Sequence, residues 1–254
     1  MTAVGAGLAI RPYREEDEEA VLALLRVSLG EGPAGERSPA FFRWKHLANP
    51  FGRSFMLVAE ADGRVVGLRA FLRWRSVLGG REVRAVRAVD TATHPEHQGR
   101  GIFRTLTLQA LEALRGEADL VFNTPNGKSL PGYLKMGWRV VGRVPVRIRV
   151  RRPVRFVRGV RGLGPGRKPG PAPSPPSWAP SAAEVLGAIR DPSALEVPHG
   201  SGERLATPRS LPYLRWRYGE APGLGYRAVV EGDPERPDGL AIFRVRPRGS
   251  LWEA

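Results

Sequence analysis

The 254-residue sequence contains no cysteine, which excludes disulfides, thiolate metal sites and a cysteine nucleophile and fits a reducing, cytoplasmic setting. Histidine is scarce. Of His46, His94, His97 and His199, only the loop pair His94/His97 lies at a spacing that resembles metal ligation, and no metal is expected. Long apolar runs are missing as well: no stretch approaches eighteen uninterrupted apolar residues, and Met1 to Ile10 lacks a basic segment followed by an apolar block. Neither a membrane span nor a secretory signal is expected. Lysine is almost absent, with four residues against thirty-six arginines. A GC-rich genome explains that bias as readily as selection for phosphate-binding guanidinium groups.

Acidic residues are missing from one long segment. Between Arg139 and Ala183 there are eleven basic residues and no acidic ones, so taking those eleven from the net charge of +15 leaves +4 for the rest of the chain. The excess charge is local. A basic belt from Arg139 to Lys168 could dock a nucleic acid or another polyanion, but Phe156 is the only aromatic residue from Arg139 to Ser177, which disfavours a stacking platform for single strands.

The remaining pattern alternates strands and helices. Leu8 to Arg11 reads as a short strand, and over Glu15 to Ser28 the residues Ala20, Val21, Leu24 and Leu25, continued by Leu29, recur at helical spacing behind an acidic first turn. Phe55 to Glu60 and Val65 to Trp74 form a hairpin whose connection, Ala61-Asp62-Gly63-Arg64, has a glycine for the tight turn. A turn at Gly79-Gly80 leads into the β-rich run Val83 to Thr93. A glycine loop follows, then a helix over Gly101 to Arg115, a strand Leu120 to Asn123, a short helix near Leu130 to Met136, and two strands within Trp138 to Val150. The fold class is mixed α/β.

From Pro153 to Pro180 glycine and proline dominate, as in a linker, and a short helix over Ser181 to Arg190 comes next. Beyond it the sequence repeats. Pairing residue n with n + 172 without gaps gives ten identities over thirty-five positions, among them Arg37/Arg209, Trp44/Trp216, Arg64/Arg236, Gly67/Gly239 and Phe71/Phe243, where roughly two or three would arise by chance. Trp44 and Phe41, with Trp216 and Tyr213 as counterparts, read as packing residues. The organisation expected is a domain at 1–152, a linker at 153–180 and an incomplete second copy at 181–254, a fragment or a degenerate module without a second glycine loop.

The glycine loop carries the chemistry. Gln98-Gly99-Arg100-Gly101-Ile102-Phe103 lies between a strand and a helix, where unpaired backbone N–H groups at the positive end of a helix can cradle a pyrophosphate. Downstream, Asn126-x-x-Ser129-x-x-x-Tyr133-x-x-x-Gly137-Trp138 places Ser129, Tyr133 and Gly137 on one side of a helix, with Ser129 as its N-cap and Asn126 in the loop before it.

Together these residues resemble the GNAT superfamily of acetyl-CoA-dependent N-acyltransferases, over roughly Leu8 to Val150. The loop matches that family's pyrophosphate-wrapping pattern except at Phe103, where a small residue is usual, and the Asn–Ser–Tyr–Gly-Trp unit matches the segment that follows. The resemblance implies a central mixed sheet flanked by helices, with acetyl-CoA or another acyl-CoA as co-substrate. The co-substrate would be held by Ala92, Thr93, Gln98, Gly99, Arg100, Gly101, Ile102, Phe103, Arg104, Asn126 and Ser129. It also implies a small-molecule or peptide amine as acceptor, attacking the thioester directly within a ternary complex. Tyr133 is the candidate acid for the leaving thiolate, or else a core aromatic beside Trp138. Asp90 is the candidate base, or else a carboxylate paired with Arg87 or Arg84. His94 and His97 flank the loop as phosphate-binding or solvent-facing residues. A binding module that uses the basic belt is the alternative to an enzyme.

Overall fold

The computed structural model describes residues 7–32, 37–143, 157, 179–195, 204–248 and 251–253. The chain divides into two compact units, Met1–Trp138 with Glu196–Leu224, and Arg139–Leu195 with Gly225–Ala254. This division departs from the expected boundaries because residues 204–224 fold with the first unit. All of the linker expected at 153–180 except residues 157, 179 and 180 lies outside the described residues.

The first unit is built on five strands, β1 (Leu8–Pro12), β2 (Phe55–Ala61), β3 (Arg64–Leu78), β4 (Arg81–Thr93) and β5 (Leu120–Phe122), in that spatial order. Strands β1 to β4 pair antiparallel and β5 joins β4 in parallel, so the sheet is mixed. Helices α1 (Glu18–Leu29) and α2 (Pro39–His46) bury Val21, Leu22, Leu24, Leu25 and Phe42 on one side, against Met56, Val58, Leu68 and Ala70. Helix α3 (Ile102–Ala113) and the short α4 (Leu130–Lys135) cover the other side, where Ile102, Leu106, Ala110 and Tyr133 meet Leu57, Ala59 and Phe71. The alternation within β2, where Met56 and Val58 take one face and Leu57 and Ala59 the other, is the two-residue period of a strand buried on both sides. Gly67 lets α3 approach β3 closely, since a Cβ there would lie 2.8 Å from the Ile102 side chain and 2.9 Å from that of Ala59.

The returning segment is tied down at named points. Val77 and Ala206 exchange backbone hydrogen bonds of 2.8 and 3.0 Å, and the Trp74 indole donates to Thr207 Oγ1 at 2.8 Å. Helix α5 (Leu211–Leu214) continues into a π-helical turn, Arg215–Gly219, that seats Trp216 on Trp44 with ring centroids 5.0 Å apart. Each indole N–H donates to the other residue's backbone carbonyl, at 2.7 and 2.9 Å. The two tryptophans are 172 positions apart, the offset at which the sequence identities recur.

The second unit contains helix α6 (Ala182–Ala188), capped by Ser181 and Glu184 in a reciprocal box, the hairpin of β6 (Arg227–Asp233) with β7 (Arg236–Phe243), and the pair β8 (Arg246–Arg248) with β9 (Leu251–Glu253). Adding 172 to each residue of the seven β2–β3 pairs, from Phe55↔Phe71 to Ala61↔Arg64, gives the seven β6–β7 pairs. The irregularity between Ala59 and Glu60 recurs between Glu231 and Gly232. Of the two strands expected within Trp138 to Val150, residues 138–143 form none, and 144–150 lie outside the described residues.

Candidate active site

Two departures from regular pairing open the sheet at one place. Strand β5 pairs with β4 only from Ala85↔Leu120 to Arg87↔Phe122, so among the described residues β4 loses its β5 neighbour from Ala88 to Thr93. Over the same stretch β4 bulges: Leu68 faces Ala92 and Ala70 faces Val89, leaving Asp90 and Thr91 opposite Arg69 alone. Asp90 holds φ at +39°, a left-handed conformation rarely adopted by a residue with a side chain. The bulge directs Asp90 towards α2 and Thr91 towards Arg69 on the opposite face.

The glycine loop adjoins the free stretch of β4. A 3-10 turn at Pro95–His97 leads into Gly99 and Gly101, with φ of +76° and +77°, and α3 begins at Ile102. The amides of Ile102, Phe103 and Arg104 occupy the first helical turn, where no partner exists within the helix, and residues 98–101 are exposed. Gln98 Nε2 and Ser28 Oγ both donate to the Thr93 carbonyl, at 3.3 and 3.1 Å, closing the loop onto the end of β4. Arg100 and Arg104 are exposed and make no ion pair among the described residues. The Ala92 and Ile102 side chains are in the core, so these two residues can offer a ligand only their backbone. His94 is held through its amide to the Val66 carbonyl, with its ring 6.0 Å from that of His97.

Tyr133 projects from α4 towards the bulge. Arg69 Nη1 donates to its hydroxyl at 2.7 Å and also to Thr91 Oγ1. The guanidinium lies 4.3 Å from the centroid of Phe71, and Nε and Nη2 are buried without a hydrogen-bond partner. Burial pushes the Arg69 pKa down, opposed by the Tyr133 oxygen. Phe103 stands edge-on to Tyr133, with centroids 5.3 Å apart, and lies where a Cβ on Gly132 would be, 2.7 Å from that position. The large residue in the loop therefore packs against α4. Asn126 Oδ1 accepts from the amides of Lys128 and Ser129 and from Ser129 Oγ, at 3.0, 2.9 and 3.1 Å, so both polar side chains shape the turn before α4. Ser129 is the N-cap residue by position, but its side chain makes no capping bond.

Asp90 does not pair with Arg84 or Arg87. Arg84 binds Asp119, and Arg87 donates to Thr124 Oγ1 at 3.0 Å. The Asp90 carboxylate instead meets Lys45 Nζ at 2.5 Å, His46 Nε2 at 2.8 Å and Arg37 at 3.7 Å, because α2 delivers Lys45 and His46 to this side of the bulge and Arg37 lies just before the helix. Burial alone would raise its pKa, but the charge of Lys45 and the hydrogen bond from His46 outweigh burial and hold it well below the carboxylate range. Burial lowers the His46 pKa despite Asp90. A neutral His46 that donates through Nε2 to Asp90 leaves Nδ1 to accept from Ser54 Oγ at 2.9 Å.

A family model for an acetyltransferase (GNAT) domain matches residues 9–141, more than half of the chain. The chain belongs to the GNAT family. An acyl-CoA co-substrate goes with that membership. No curated protein matches the chain in sequence. Among solved structures, an acetyltransferase of Trypanosoma brucei is 24% identical, with a TM-score of 0.43 over 56% of this chain and 99% of that one. A GNAT family acetyltransferase from Brucella melitensis, in complex with acetyl-CoA, is 25% identical, with a TM-score of 0.41 over 54% of this chain and 85% of that one. A transcriptional regulator from Bacillus halodurans C-125 is 19% identical, with a TM-score of 0.45 over 56% and 99%.

Within this GNAT domain, the candidate residues divide between two faces of the sheet. The loop residues Gln98 to Arg104, Thr93 at the end of β4, and Tyr133 lie on the glycine-loop and α3–α4 side, with Phe103 touching Tyr133 directly, whereas the Ala92 side chain packs in the core on the α1–α2 side. The Asp90 carboxylate lies on the α2 side. Most of the basic belt Arg139 to Lys168 lies outside the described residues. Among the described residues no helix is long and apolar enough to cross a membrane, and no cluster of three or more His, Cys, Asp or Glu could hold a metal. Sequence reasoning missed Arg69, Lys45 and His46. An arginine inside the otherwise apolar run Val65 to Leu72 was a legible signal for the first.

Proposed function

We propose that this GNAT domain transfers an acetyl or other acyl group from acyl-CoA to an amine, within a ternary complex and without a covalent enzyme intermediate. The observation that carries this reading is the coincidence, on one stretch of β4, of a bulge, a free strand edge and a glycine loop at a helix N-terminus. The free edge at Ala88 to Thr93 offers backbone groups to the extended amide-bearing arm of the co-substrate, as an added strand would. The amides of Gly99 to Arg104, with Arg100 and Arg104 at the rim, would take the pyrophosphate. Asn126 and Ser129 act here by setting the turn that presents α4.

In this reading Tyr133 is the acid. The amine nitrogen attacks the thioester carbon, the C–S bond breaks, the sulfur takes the phenolic proton, and the nitrogen releases its own proton to water. Asp90 is then the anchor of the bulge, because a carboxylate already paired with Lys45 and His46 is a weak proton acceptor. The acceptor is a small-molecule or peptide amine, and the second half of the chain is a repeat of the hairpin module without a glycine loop of its own.

Free-thiol release from acetyl-CoA, followed across a panel of amines with wild type and Tyr133→Phe, tests the reading. Amine-dependent release that falls about a hundredfold in the variant is expected. Unchanged release removes Tyr133 as the acid, and no release with any amine removes the enzyme reading in favour of a binding module.

A further inference from the structure

Arg69 is a large side chain with no accessible surface, in the middle of the longest strand, and no carboxylate pairs with it among the described residues. Its hydrogen bonds go to two neutral hydroxyls, Thr91 and Tyr133, and it also faces the ring of Phe71. A cation buried without an anion costs several kcal/mol. That cost is offset if a negative charge forms beside it during turnover. Tyr133 is the one group at hydrogen-bond distance that can carry such a charge, and its oxygen already accepts from Arg69 at 2.7 Å. The phenolic proton is thereby left to point elsewhere, and no acceptor for it occurs among the described residues.

We infer that Arg69 is a positioning residue for acyl transfer: it turns the Tyr133 proton towards the departing sulfur and supplies the counter-charge of the tyrosinate left once that proton is given. The inference rests on the acyl-transfer reading above. The O–H bond of Tyr133 breaks as the S–H bond of the released thiol forms, the guanidinium stays protonated throughout, and water returns a proton to the tyrosinate before the next cycle. Phe71 beneath the guanidinium and Phe103 against the phenol ring hold the two groups in place. The unpaired Nε and Nη2 leave no competing anion to draw the charge away.

A double-mutant cycle on the full chain tests this, using Tyr133→Phe, Arg69→Met and the double variant. Acetyl-CoA affinity is read by calorimetry and turnover by free-thiol release, with hydroxylamine as a surrogate acceptor and the uncatalysed rate subtracted. If Arg69 acts through Tyr133, Arg69→Met lowers turnover at least about tenfold and leaves acetyl-CoA affinity within about threefold. The double variant is then within about twofold of Tyr133→Phe alone. Arg69→Lys, which keeps the charge, retains an intermediate rate. Losses that multiply in the double variant, unchanged turnover in Arg69→Met, or acetyl-CoA binding lost along with the rate would each overturn the inference while leaving acyl transfer standing. Should Arg69→Met not fold, Arg69→Gln takes its place in the same cycle. A wild-type protein that neither binds acetyl-CoA nor releases thiol removes the acyl-transfer reading, and this inference falls with it.

Discussion

Trp44 and Trp216 each spend an indole N–H on the other's carbonyl, so neither can be replaced without stranding a buried acceptor. Trp44→Phe keeps much of the packing but leaves the Trp216 carbonyl unpaired, and denaturant unfolding should show a loss of about 1–3 kcal/mol. Asp90 and His46 control stability through protons. Both have folded pKa values below their unfolded ones, so the unfolded chain binds more protons and stability falls as pH falls. The His46 contribution is complete above about pH 6.5, its unfolded value, and is lost below it; the Asp90 contribution is complete above about pH 4 and is lost on further acidification. Urea melts taken from pH 8 to pH 3.5 should show stability declining from below neutrality, and a flat profile would contradict the burial of His46. In Asp90→Asn, which breaks a buried charge cluster at one partner, a loss of about 3–5 kcal/mol is expected, with the pH dependence below pH 4 reduced.

Among the elements, α3 and β3 fit closely at Gly67. An alanine at Gly67 would bring a methyl group against Ile102, Ala59 and Leu106, and a loss of about 1–3 kcal/mol in a thermal or urea melt checks the fit. The hairpin, the glycine loop and α3 were legible in the sequence because each carries a local signal: a Gly63 turn, two glycines at positive φ, and apolar spacing at Leu106, Ala110 and Leu114. Helix α2 was not foreseen, although Ser38 accepts the Phe41 amide as its N-cap and Pro39 opens its first turn. In sequence its short apolar face carries only packing residues, Phe41 and Trp44. The partners of Asp90 were illegible for another reason. A bulge chooses which face a side chain takes, and neither the bulge at residues 90 and 91 nor the ion pairs with α2, forty-five residues earlier in the chain, leave a local pattern. Tyr133 could be named from its spacing, whereas its buried guanidinium partner depends on α4 packing over β3.

For the whole molecule, the 172-residue offset appears twice in the structure, in the reciprocal tryptophans of the first unit and in the shared hairpin register of the second. The sequence holds one glycine loop of this pattern, Gln98 to Phe103, so calorimetry should find one acetyl-CoA per chain. Gly101→Val, which places a β-branched side chain at φ +77° in the loop, should weaken that binding while leaving the sheet intact by circular dichroism. The central claim is that the opened edge of β4 and the glycine loop form an acyl-CoA site. Thermal melting of the purified chain with and without acetyl-CoA tests it most directly, since a ligand of the folded state at a hundred times its Kd adds about 2.7 kcal/mol to stability. A melting temperature that rises with acetyl-CoA in the wild type, and much less in Gly101→Val, is the predicted result; a wild-type melting temperature unmoved at saturating acetyl-CoA would contradict it.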